Sequence, residues 1–201
     1  MQALVKYTDD VDAKMGMWLF LFTEMLFFGG MFLLYAVYST KYSADFSGSS
    51  SELNRVIGTF NTLILITSSF TAALSLSEIK KGALQSASIC LGITALIGIV
   101  FLIMKYIEWS AKIGHGIYPG SAYLNEMAHG KVLFYSLYFV MTGIHAFHVL
   151  IGIAVFIVIL FMLRNGTVRE NNSIKLENAA LYWHFVDIAW IYLFPLLYLL
   201  R

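Results

Sequence analysis

Residues 17–37, 57–76, 83–104, 132–163 and 178–200 are apolar stretches of 21, 20, 22, 32 and 23 residues that together hold two formal charges, Glu24 and Asp187. A hydrocarbon core of about 30 Å takes about 20 mostly apolar residues as a helix. Only structures that satisfy every backbone group internally can cross it. The expected fold is therefore all-α: an integral membrane bundle of five transmembrane helices in one domain covering 1–201. At 1.5 Å per residue the fourth stretch would be roughly 48 Å long, so it is expected to tilt or to project beyond the bilayer. The run at 17–37 is too long for a signal-peptide core, and no cleavable signal is expected.

Composition narrows the function classes. Charged residues make up 12% of the chain, about half the share in a soluble domain, while apolar residues make up 59%. Thirteen basic against twelve acidic residues leave no basic face for nucleic acid. Cys90 is the only cysteine and cannot form an internal disulfide. The connections 39–55, 77–82, 105–131 and 165–177 read as polar loops, with Gly114, Gly116, Pro119 and Gly120 marking turns in the longest. Lys and Arg divide seven to six between the two sides, too evenly for charge to set orientation.

Ionisable side chains at membrane depth cost several kcal/mol and invite a functional explanation. Glu24 lies roughly 10 Å into the first span. It reads either as a proton-linked or lipid-contacting carboxyl, or as a neutral acid bonded to a neighbouring helix. His145 and His148 are spaced i, i+3 on the fourth span, and His184 and Asp187 repeat that spacing on the last, with Glu177 two turns earlier. Imidazole and carboxylate from two helices could hold zinc, iron or manganese, or two histidines a haem. The alternative is an interhelical hydrogen-bond network. Pro195 cannot donate to the carbonyl of Ile191, so the last helix is expected to bend there.

Four segments in order carry a resemblance: MWLFLFTEMLFFGG at 17–30, NTLILITSSFT at 61–71, GIHAFHVLIG at 143–152 and ENAALYWHFVDIAW at 177–190. Together they resemble subunit III of the haem–copper oxidases, most closely that of cytochrome c oxidase in its short five-helix bacterial form. The resemblance implies a non-catalytic subunit of an oxidase that reduces oxygen to water in the aerobic chain. Such a subunit packs on subunits I and II, holds phospholipid and supports proton uptake and sustained turnover. Haem and copper would sit in those partner subunits, with no metal or cofactor bound by this chain. Glu24 matches the family's carbodiimide-reactive carboxyl, and Glu108 in KYIEW resembles another acid the family keeps. The network reading then covers Glu108, His145, His148, Glu177, His184 and Asp187, with Arg164 and Trp183 as lipid-contact residues.

The same resemblance implies a bacterial plasma-membrane location with the N-terminus in the cytoplasm. This chain lacks the first two helices of seven-helix forms, which implies a subunit I extended by two C-terminal helices. Subunit III of a quinol oxidase, or the related accessory protein of nitric oxide reductase, is the alternative. Glu24 leans towards the cytochrome c type, because quinol oxidases tend to have aspartate there. A small proton-coupled transporter is the rival from another class, but its usual mark, an inverted repeat, is absent. A free-standing metalloenzyme is a further rival.

Overall fold

The computed structural model describes residues 2–169 and 172–200, with side chains from residue 11 onward. Every regular element in that range is helical. The elements are α1 (Gln2–Lys41), α2 (Ser43–Ser51), α3 (Arg55–Lys80), α4 (Leu84–Gly114), α5 (Ala122–Asn125), α6 (His129–Arg164) and α7 (Ile174–Phe194). Five of these are long and apolar enough to cross a membrane, as the hydropathy pattern predicts, with α1 counted from Val11.

The five-helix expectation needs correction in the connections. The serine-rich segment taken as a loop contains α2, and the longest loop contains α5. Serine is no strong helix former, so α2 owes its shape to packing. Phe46 stacks edge-on against Tyr35 of α1 and Phe134 of α6, and Ser50 donates to the carbonyl of Leu197 at 2.8 Å.

The spans are also longer than the apolar runs. Polar and charged residues at the end of an apolar run need not end the helix. Thus α4 continues through Lys105 and Glu108 to Gly114, taking ten residues from the predicted loop 105–131. Helix α6 has 36 residues, about 54 Å, in line with a helix that tilts or projects. Asn54 caps α3 by accepting from the backbone N–H of Val56 and Ile57. Gly82, at φ +78°, reverses the chain between α3 and α4.

Helix α7 is the hub. It packs against α1, α3 and α6, while α4 closes the far side by packing on α3 and α6. Trp183 sits at the centre, fully buried, because glycine faces it from two helices. A Cβ at Gly98 of α4 would lie 2.7 Å from Trp183 Cη2, and one at Gly152 of α6 would lie 2.6 Å from Cε3. The expected irregularity at Pro195 takes a specific form. Residues Pro195–Leu199 make a π-helical turn, in which Leu200 N–H donates to the Pro195 carbonyl at 3.1 Å.

Candidate functional site

Glu24 and His148 meet where α1 crosses α6, with Glu24 Oε2 3.0 Å from His148 Nε2. The histidine is oriented from its own helix: Nδ1 lies 2.8 Å from the Ile144 carbonyl. A carbonyl only accepts, so Nδ1 carries a proton. Nε2 therefore shares a single proton with the carboxyl, either accepting from the neutral acid or donating to the carboxylate. The hydrogen bond is the same whichever of the two atoms holds that proton. The rings of Phe28 and Tyr182 flank the imidazole.

This pair lies in the wall of a cleft of about 1020 Å³ between α1, α6 and α7. Most of the lining is apolar, including Phe20, Phe27, Phe147, Ile151 and Val158, while Lys175 and Asn178 belong to the N-terminal part of α7. The cleft has the size and polarity of a site for an amphiphile.

A second cluster lies in the bundle core. Lys105, 2% exposed, pairs with Glu108 at 3.0 Å and donates to Tyr198 at 2.7 Å and Tyr138 at 3.3 Å. Both tyrosines donate onward to Glu108 Oε1, at 2.9 Å from Tyr138 and 2.5 Å from Tyr198. Lys105 also lies 5.0 Å from the centre of the Trp190 ring. The cluster joins α4, α6 and the π turn. Hydropathy placed Lys105 at the edge of a loop, so Lys105, Tyr138 and Tyr198 escaped sequence reasoning. The i, i+3 Lys–Glu spacing was the available signal.

The remaining predicted residues do not form one network. Glu177 is drawn to the end of the bundle, where it bridges Lys14 of α1 at 2.8 Å and Lys80 of α3 at 3.0 Å. His184 does not reach it; its Nδ1 lies 2.5 Å from Ser69 Oγ of α3. Asp187 lies beside Ser69, but that hydroxyl faces His184 and neither carboxyl oxygen has a hydrogen-bond partner. His145 is fully buried between Phe101 and Trp190 with neither ring nitrogen bonded. Helical geometry separates His145 from His148: three residues advance 300°, so the two rings point 60° apart and meet different neighbours. Among the described residues no three His, Cys, Asp or Glu side chains converge as a metal site.

The lipid-contact expectations divide. Trp183 is corrected: it is fully buried and donates to Ser68 Oγ at 2.9 Å, so it does not reach lipid. Arg164 is exposed at the end of α6, beside a small surface pocket lined by Ile157, Leu160 and Phe161.

Five membrane-length helices held by the buried Lys105–Glu108 pair and a central tryptophan define an all-helical membrane protein. Residues 6–200 match the family model described as cytochrome c oxidase subunit III, and the chain belongs to that family. Among relatives, a cytochrome c oxidase subunit 3 of Thermostichus vulcanus is 33% identical over 92% of this chain and 86% of its own length. One from Synechocystis is 34% identical over 94% of this chain and 76% of its own. A cytochrome bo(3) ubiquinol oxidase subunit 3 of Pseudomonas aeruginosa is 31% identical over 92% and 83%.

Proposed function

We propose that this chain is the non-catalytic subunit III of a bacterial, proton-translocating cytochrome c oxidase. The family match over nearly the whole chain carries the reading. In it the bundle packs on subunit I, which carries two extra C-terminal helices, and associates with subunit II. Haem and copper reside in those subunits and none in this chain. The N-terminus, with the Lys14–Glu177–Lys80 end of the bundle, faces the cytoplasm.

Within that assembly the cleft between α1 and α6 holds a phospholipid beside subunit I. Its volume and apolar walls suit acyl chains, and the Lys175 ammonium suits an anionic headgroup. The Glu24–His148 pair is the protonatable group in that wall and supports proton uptake from lipid depth. Arg164 is a second headgroup contact.

Relatives named as quinol oxidase subunit 3, in Pseudomonas aeruginosa and Bacillus spizizenii at 31% identity each, favour a second reading with quinol as electron donor. A tag on this chain, purification in mild detergent and a reduced-minus-oxidised spectrum separate the two. An a-type haem signal with copper is expected. Haem of b or o type alone would favour the quinol reading, and absence of any haem protein would overturn both. A partner subunit I with only twelve spans would overturn the extended-subunit component.

A further inference from the structure

The outward face of α7, between α1 and α3, presents Leu181, His184, Ile188 and Ile191 at successive helical turns. Ile188 and Ile191 are 51% and 43% exposed, as a lipid-facing or partner-facing stripe would be. His184 breaks the apolar pattern at mid-membrane, eleven residues into a span of 26. Ser69, its partner through Nδ1, is the fifteenth of 26 residues in antiparallel α3, so both sit near the bilayer centre. The part-buried ring has no hydrogen-bond partner at Nε2 among the described residues. Behind it, Asp187 lies 2% exposed with both carboxyl oxygens unbonded.

Hydrocarbon cannot satisfy such a group, and an unmet hydrogen bond there costs several kcal/mol. Polar side chains on otherwise apolar membrane helices act as contacts between helices. Surface hydroxyls elsewhere solve the problem locally: Thr23 donates to the Phe20 carbonyl and Thr67 to that of Leu63. His184 has spent one nitrogen on Ser69, and its other nitrogen has no acceptor or donor on its own helix.

We infer that the α1–α7–α3 face is where a transmembrane helix of the partner oxidase subunit docks, bearing a hydroxyl, amide or acid opposite His184 Nε2. This deepens the assembly reading and rests on it. Ser69 occupies Nδ1 and leaves Nε2 for the partner, and Ile188 and Ile191 supply the apolar contact beside it. The docking face is distinct from the α1–α6 cleft.

The test uses the complete complex in native membranes. A photoreactive benzoylphenylalanine replaces exposed Ile188, where the fold is not at stake. After illumination, an adduct to the haem-bearing subunit, identified by mass spectrometry, is expected. In parallel, His184→Leu should lower co-purified haem by about tenfold, equal to about 1.4 kcal/mol. His184→Asn or His184→Gln, which keep a hydrogen-bonding group, should retain most of it. An intact haem complex in which position 188 captures only lipid, or nothing, overturns the inference, as does full co-purification with His184→Leu. A wild-type preparation without haem overturns the assembly reading itself, before any variant is made.

Discussion

His148 Nε2 and Glu24 Oε2 stand 3.0 Å apart although 124 residues separate them in the chain. The contact ties α1, the least enclosed of the long helices, to α6. Because Nδ1 is committed to the Ile144 carbonyl, the shared proton belongs to the pair rather than to either residue.

Glu24→Gln should therefore be tolerated, since its amide N–H can donate to the Nε2 of neutral His148. Glu24→Leu leaves that nitrogen unpaired in the cleft wall and should cost about 1–3 kcal/mol. Thermal unfolding of the purified complex distinguishes them. Both variants should lose modification by a hydrophobic carbodiimide at this position. His148→Leu should loosen assembly while leaving the haem spectrum of the surviving complex unchanged.

Lys105 and Glu108 should behave as one unit. Removing either leaves a buried charge with two tyrosine hydroxyls and no counterion, at a cost of about 3–5 kcal/mol. The double variant Lys105→Met with Glu108→Leu should lose much less than the sum of the single changes. Additive losses in that double-mutant cycle, measured by denaturation in detergent, would contradict the pairing.

Gly152→Ala should destabilise by about 1–3 kcal/mol, because the added methyl meets the Trp183 indole at 2.6 Å in a core without space to yield. Combining it with Trp183→Phe should recover part of the loss by removing the ring it strikes. Gly92→Ala, whose Cβ meets nothing within 4 Å, is the matched control and should cost nothing or stabilise by up to about 1 kcal/mol in the same thermal assay.

Glu177 bridges two lysines that are each about half exposed. Lys14→Ala and Lys80→Ala should each cost less than about 1 kcal/mol, since the carboxylate keeps the other partner. Glu177→Gln removes both bridges and should cost more than either. Its penalty should shrink as salt is raised, which unfolding at low and high ionic strength would reveal.

Much of the architecture was legible in advance, but unevenly. Apolar length located all five long helices and missed their ends, because a charged residue can continue a helix when the bundle gives it partners. Lys105 shows the reason most clearly. A hydropathy reading ends a span at lysine, yet this lysine is buried because Glu108, Tyr138 and Tyr198 surround it. Two of those three groups come from other helices, 33 and 93 residues away. The predicted polar residues were each noticed, but their grouping was not: Glu177 turned to lysines, His184 to Ser69 and His148 to Glu24. Trp183 was expected to contact lipid, and two facing glycines let it fill the core.

The sequence by itself determined the number of membrane helices, their order and the family. Bilayer thickness demands a minimum apolar length, and an unpaired backbone in lipid is too costly to permit another solution. Only the tertiary structure decided which polar side chains meet. A helix turns about 100° per residue, so neighbours in sequence point at different helices. What lies opposite each one depends on how the whole bundle closes around α7.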